Sequence, residues 1–268
     1  TDPILEILER DALAESGAAI VALVSEYFAA TRDGDGPVST DRTAEELSAR
    51  FDEPLPRGGI PMDDVARRLR DDVMADANRL YHPMYMGQQV APPLPAAVWT
   101  EPVISVLNQS VAVWEMSPTA TVIEHRVIRW MTELVGWDEQ SGGTLTSGGT
   151  EATFTALLAA RNAIIPDAWT EGVGANPPIV LCGEHAHYAV SRALGELGLG
   201  VRSLITVPSR DFRMDSAALA RALEDARDAG TSVMAVVATA GSTATGSFDD
   251  LEAIGTMCAK RGIWLHVD

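Results

Sequence analysis

Thr144-Leu145-Thr146-Ser147-Gly148-Gly149-Thr150-Glu151-Ala152 is the stretch that decides the fold, because it runs from a short β-branched segment through small, flexible residues straight into a helical pattern. Such a strand-to-helix turn is an anion cradle. Gly148 and Gly149 let the backbone come close to a ligand, and the first free N–H groups of the helix, with the hydroxyls of Ser147 and Thr150, are expected to point toward one spot. The same residues also read as a plain glycine turn before a capped helix. They are not a nucleotide-binding P-loop, since no Gly-Lys-Ser/Thr follows.

Downstream, short apolar runs alternate with helical stretches. Strands are expected at Thr144 to Thr146, Ile179 to Cys182, Ser203 to Val207, Val233 to Thr239 and Ile263 to Val267. Helices are expected at Glu151 to Ile164, Tyr188 to Leu197, Ser216 to Ala229 and Asp249 to Lys260. That alternation predicts an α/β fold with a mostly parallel sheet flanked by helices, in which ligands bind beyond the carboxyl ends of the strands.

Upstream, apolar residues at helical spacing (Ile4, Leu8, Ala12, Ile20, Leu23, Val24, Tyr27) predict a helical arm over residues 4 to 32. Helices are also expected at Asp41 to Phe51, at Met62 to Tyr81, and at Val122 to Val135, the last with Val127, Ile128, Met131 and Leu134 inward. From His82 to Pro118 the chain is rich in proline and carries Tyr85, Trp99 and Trp114, which either line a pocket or cover the core. The composition shift near residue 82 divides the expectation into a helical N-terminal segment, 1–81, and the front part of a large α/β domain, 82–268.

Composition narrows the partners. Among 268 residues, 38 acidic against 20 basic side chains give a net charge of −18, which repels phosphate backbones and anionic headgroups, so neither nucleic acid nor membrane is expected. The uncharged run Thr231 to Phe248 is too polar for a membrane span. Two cysteines, Cys182 and Cys258, are too few for a disulfide framework, and a cytoplasmic location is the expectation. Lys260 is the single lysine, which matters for any chemistry needing an amine.

Three more strand ends carry chemistry. Glu184-His185-Ala186-His187-Tyr188 offers a flat imidazole for stacking. His-x-His can be a zinc pair, but no third ligand stands at sensible spacing, so no metal is assigned. Thr239-Ala240-Gly241-Ser242-Thr243-Ala244-Thr245-Gly246 supplies hydroxyls, and Ile263-Trp264-Leu265-His266-Val267-Asp268 ends on a carboxylate fit for a metal, a ribose or a cationic heterocycle. A phosphate seat, a flat ring, hydroxyls and a carboxylate together suit pyridoxal phosphate.

These motifs, in this order, resemble the group II pyridoxal-phosphate decarboxylases, which include glutamate, aromatic amino acid and diaminobutyrate decarboxylases. The resemblance rests on Ser147 to Ala152, Ala156 to Arg161, His185 to Tyr188, Thr239 to Thr243, Ser247 to Leu251 and Trp264 to Asp268, and it covers roughly residues 80 to 268. It is looser at His82-Pro83, Leu107 to Ser110 and Ser117-Pro118.

The resemblance implies a fold-type I pyridoxal-phosphate transferase-like architecture and a lyase of amino acid metabolism, converting an L-amino acid to its amine and carbon dioxide. Gly149 and Thr150 match the residues that hold the cofactor phosphate, His187 the histidine stacked on the ring, Thr243 the threonine near the ring, and Asp268 the aspartate at the pyridine nitrogen. His187 and Asp268 are the implied catalytic pair. The family's Schiff-base lysine follows the aspartate, so it is expected beyond residue 268, and Lys260, late in a helix, does not replace it. A small amino acid substrate and a homodimer are implied. The rivals are a carbon–carbon lyase of the sphingosine-phosphate lyase type and a non-catalytic α/β nucleotide-binding or regulatory module.

Overall fold

The computed structural model describes residues 10–268, and the chain forms two compact units, Thr1–Asn108 and Gln109–Asp268. The segment from 82 to 108, expected to open the large domain, therefore lies in the first unit. The part of the helical arm before residue 10 lies outside the described residues.

In the first unit, α1 (Arg10–Asp33) buries Leu23 and half-buries Ile20, Val24 and Tyr27, and the Phe28 ring meets Tyr81 edge-on at 4.9 Å. α2 (Ala44–Arg50) opens on a reciprocal cap: Glu46 N–H donates to the Thr43 hydroxyl while Thr43 N–H donates to the Glu46 carboxylate. The helix expected over 62 to 81 stops early. α3 (Met62–Arg68) widens into a π-helical turn at Leu69–Val73 and tightens into a 3-10 turn at Met74–Asp76. The change of winding ends at Asp76, whose carboxylate receives the Thr40 hydroxyl at 2.6 Å, Arg50 at 2.6 Å and Arg42 at 3.2 Å. Those bonds, the Thr40 hydroxyl first, hold the Asp76 carboxyl below the usual carboxylate range.

The proline-rich stretch contains a helix that sequence periodicity did not signal, α4 (Pro95–Leu107), which starts on Pro95, accommodates Pro102 and ends where Asn108 turns left-handed at φ 45°. Trp99, itself partly exposed, lines an apolar cavity of about 300 Å³ with Tyr27, Phe28, Tyr81 and Val98, and Trp114 is exposed as well.

The second unit is a three-layer α/β/α sandwich. Its helices before the sheet are α5 (Pro118–Leu134), α6 (Gly149–Ile164) and the short α7 (Ala168–Glu171). The sheet contains β1 (Ile179–Gly183), β2 (Leu204–Val207), β5 (Val233–Ala238) and β6 (Trp264–Val267) in the order β2-β1-β5-β6, every pair parallel. A small antiparallel hairpin, β3 (Ser209–Arg210) and β4 (Arg213–Met214), follows β2. The remaining helices are α8 (Ala189–Glu196), α9 (Ser216–Asp228) and α10 (Leu251–Arg261).

Side chains alternate across the strands and thereby build two cores. Val180, Cys182, Ala235 and Val237 pack with Leu157 of α6 and Leu194 of α8, while Leu181, Val236 and Ala238 pack with Leu219 of α9 and Ile254 of α10. Burial on both faces is why β1 and β5 read as unbroken apolar runs.

Two expectations fail in this unit. Thr144 to Thr146 forms no ladder and Leu145 is exposed: the segment pairs with neither edge strand, β2 or β6, and β-branched composition without a paired neighbour makes no strand. Met131 and Leu134 of α5 are exposed rather than inward, since periodicity marks the face to be covered but supplies no element to cover it.

Leu194 is fully buried between β1, β5 and α6, so Leu194→Ala should lower stability by about 2–5 kcal/mol. Denaturant unfolding of the purified protein measures this.

Candidate functional site

The parallel pairing sends the carboxyl ends of β1, β5 and β6 to one edge, and a cavity of about 210 Å³ opens there. Gly149, His187, Thr243 and Asp268, four residues singled out from the sequence, all line it, and so do Thr153, His185, Thr239, Gly241 and Ser242. Thr150 lies in the first turn of α6, next to Gly149, and is not among the lining residues.

α6 supplies one wall. Its first intrahelical bond runs from Ala152 N–H to Gly148 O, so the amides of Gly149, Thr150 and Glu151 precede the hydrogen-bonded ladder. A Cβ added at Gly149 would meet nothing within 4 Å, which leaves the backbone facing open space. The Ser147 hydroxyl does not face the same spot, contrary to expectation. It donates to the Glu151 carboxylate at 2.6 Å, and Ser147 N–H donates to the same carboxylate at 2.8 Å. These two bonds hold the Glu151 carboxyl below its ordinary value.

β1 continues into the histidine pair. Ala189 N–H donates to His187 Nδ1 at 3.2 Å, which leaves the proton of a neutral ring on Nε2 and fixes the ring's orientation. His185 packs instead against Phe212 at the tip of the β3–β4 hairpin, with ring centroids 5.5 Å apart. No group of three or more potential metal ligands occurs among the described residues.

β5 and β6 extend side by side into the site. Asp268 N–H donates to Ala238 O at 2.8 Å and Asp268 O accepts from Ala240 N–H at 2.6 Å, so the carboxylate residue is tied to the loop after β5 by main-chain bonds. In that loop the Ser242 hydroxyl is engaged by Thr245 at 2.6 Å and Ser247 at 3.0 Å rather than turned to a ligand. Thr239 is buried and its Oγ1 has no partner in the protein. His266 Nε2 is likewise buried without a partner, and burial lowers the pKa of that ring, with the nearby Asp268 opposing the shift.

Sequence reasoning missed Thr153, although it stands one helical turn after Gly149, and gave no role to Asp249, which entered only as the start of a helix and within the Ser247 to Leu251 motif. Asp249 is buried; its carboxylate accepts from Met214 N–H at 2.7 Å and Thr239 N–H at 2.8 Å, while the neighbouring Asp250 caps α10 through Ala253 N–H. Lys260 lines a separate hollow with Val233, Gly262 and Ile263, near the amino ends of β5 and β6.

Comparison with known proteins gives a consistent picture. A family model described as the pyridoxal-dependent decarboxylase conserved domain matches residues 46–268. An L-2,4-diaminobutyrate decarboxylase of Rhizobium meliloti is 34% identical over 217 residues, covering 81% of this chain and 43% of the relative. The Acinetobacter baumannii protein of the same name is 28% identical over 245 residues, covering 85% and 48%. Among solved structures, the glutamate decarboxylase domain of a Vibrio parahaemolyticus diaminobutyrate-pyruvate transaminase and L-2,4-diaminobutyrate decarboxylase superposes with a TM-score of 0.89 at 27% identity, covering 96% of this chain and 57% of that one. The chain spans about half the length of the curated relatives it matches.

Because burial lowers the pKa of the His266 ring, the folded state binds fewer protons there than the unfolded chain. Its stabilising contribution is complete above the ordinary histidine value of 6.5 and is lost as pH falls from there through the lowered value. Wild-type protein should therefore lose more stability than His266→Gln between pH 7.5 and pH 5, as followed by the denaturation midpoint at each pH.

Proposed function

The chain belongs to the pyridoxal-dependent decarboxylase family, and from that premise we propose that it holds the cofactor in an enzyme that removes carbon dioxide from a small L-amino acid. The observation that carries the reading is the convergence of Gly149, His187, Thr243 and Asp268, from four separate segments, on one cavity.

The residues fit pyridoxal phosphate. Gly149 presents open backbone where a phosphate can approach, the free amides at the start of α6 suit an anion, and Thr239, with a buried hydroxyl that has no partner, lines the same cavity. When bound, pyridoxal phosphate supplies an electron sink for the pair released as the bond to the carboxylate breaks.

The chain's own residues do the rest. Gly149 and Thr150 hold the phosphate through main-chain N–H groups, helped by the positive end of α6. The His187 imidazole, fixed by Ala189 N–H, would stack on the bound ring, with its Nε2 able to move a proton. Thr243 would stand beside that ring. Asp268 would keep a proton on the pyridine nitrogen, because an opposite charge within reach favours the cationic form. Lys260 lies in its separate hollow, away from the cavity, and is not assigned the amine that binds the cofactor. No observation favours the carbon–carbon lyase or the non-catalytic module.

We place the enzyme in the cytoplasm as a homodimer. Among the described residues no helix is long and apolar enough to cross a membrane. The dimer is supported by the apolar side chains left exposed on single helices, Val103, Val106 and Leu107 on α4 and Val122, Trp130 and Leu134 on α5. Val106→Glu combined with Leu134→Glu should shift the full-length protein from dimer to monomer in sedimentation; an unchanged dimer refutes these faces as the interface.

The cofactor reading is tested by titrating full-length apoprotein with pyridoxal phosphate. Gly149→Val should weaken binding at least about tenfold, in line with roughly 1.5–3 kcal/mol for a lost bond to a charged group. Asp268→Asn should fold and bind but release carbon dioxide from an amino acid panel at least about tenfold more slowly, the equivalent of one unit of lost pKa perturbation or ~1.4 kcal/mol. Unchanged binding in the first and unchanged rate in the second refute the assignments.

A further inference from the structure

Behind the cavity wall lies a second set of contacts. The loop from Thr239 to Phe248 carries Thr239, Gly241, Ser242 and Thr243 onto the wall, and it folds back on itself through Gly241 N–H and Ser242 N–H, both donating to Ser247 O. One buried side chain fastens the base of that loop. Asp249 receives Thr239 N–H on one carboxylate oxygen and Met214 N–H on the other, and its own N–H donates to Thr239 O at 2.9 Å.

Asp249 thus joins the loop to the β3–β4 hairpin, two elements that no strand pairing connects. The hairpin is a demanding partner: Asp211 and Phe212 at its tip both have left-handed φ, 52° and 62°, and Phe212 is a bulky residue in that region. A second tie, from the Ser247 hydroxyl to Phe212 O at 2.7 Å, and the Phe212 ring against His185 complete the connection between hairpin and cavity. Among the described residues no ion pair involves Asp249, so its oxygens serve these main-chain donors and not a cation.

We propose that Asp249 is a positioning residue for the cavity, clamping the loop after β5 to the hairpin so that Thr239, Gly241 and Thr243 keep their places on the wall. The Thr239 bond is the critical one. Thr239 stands beside Asp268 at the end of the β5–β6 ladder, and Ala240 N–H, the next donor along, holds the Asp268 carbonyl. A shift at Thr239 is transmitted directly to Asp268, the residue assigned above to the ring nitrogen. This inference rests on the cofactor reading given above.

The test uses the full-length apoprotein and three variants. Asp249→Asn keeps the size and one carbonyl oxygen but turns an NH₂ toward one of two N–H donors, breaking the clamp on one side. Asp249→Ala removes both acceptors. Asp250→Ala is the matched control, because Asp250 only caps α10. Pyridoxal phosphate titration, the visible circular dichroism of the bound cofactor and the melting temperature of the apoprotein are measured on each.

Asp249→Asn should bind the cofactor at least about tenfold more weakly, with an altered dichroism band; Asp250→Ala should melt lower yet titrate and absorb as wild type does. In wild-type protein, adding pyridoxal phosphate should slow amide exchange in the peptides containing Thr239 and Met214, a readout that stands even where Asp249→Ala fails to fold. A lower melting temperature in Asp249→Asn with unaltered titration and dichroism overturns the proposal, and so does unchanged exchange on cofactor binding. Wild-type protein that takes up no pyridoxal phosphate overturns the cofactor reading itself, and the inference with it.

Discussion

Parallel pairing of β1 with β5 and of β5 with β6 is the constraint on which the second unit depends, because in-register parallel strands must all end at the same edge. Once Cys182 lies beside Val237 and Val237 beside His266, the segments beginning at Glu184, Thr239 and Asp268 have nowhere to go but the same corner. The two interior strands are covered on both faces, so the register is enforced by burial: a slip of one residue would turn Leu181, Val236 and Ala238 out of one core and into the other.

The wall of the cavity is mostly main chain and small side chains. Gly149 and Gly241 leave the backbone uncovered, and the ties that give the wall its shape run through peptide groups: Ala240 to Asp268, Asp268 to Ala238, Asp249 to Thr239 and Met214. A frame of this kind resists deformation because each bond fixes two dihedral-restrained segments at once, whereas long side chains would have to be ordered individually. It also leaves few titratable groups in the corner. The two histidines and Asp268 are the ionisable side chains that line the cavity.

The first unit is held differently. There Asp76 gathers Thr40, Arg42 and Arg50, drawn from the turn before α2 and from α2 itself, and the helix leading to Asp76 changes its winding just ahead of these contacts. Apolar side chains that neither unit buries remain on α4 and α5, although the net charge of −18 otherwise favours water.

The sequence by itself determined the alternation of strand and helix after residue 149, since runs such as Val233 to Thr239 and stripes such as Ser216 to Ala229 carry their period in the residues. It also marked Gly149, His187, Thr243 and Asp268, whose residue types at strand ends are readable without coordinates. Tertiary structure decided what those signals were used for. Thr144 to Thr146 has strand composition, yet it pairs with neither edge strand, β2 or β6, and composition without a paired neighbour makes no strand. Ser147 and Ser242 looked like ligand donors, but nearer acceptors took their hydroxyls first, because a hydrogen bond is made with whatever the fold brings within about 3 Å. Asp249 read as one of two acids at a helix start; only the packing of a hairpin 35 residues earlier in the chain against the end of β5 placed two amide donors on its carboxylate, a meeting that no local pattern in the sequence encodes.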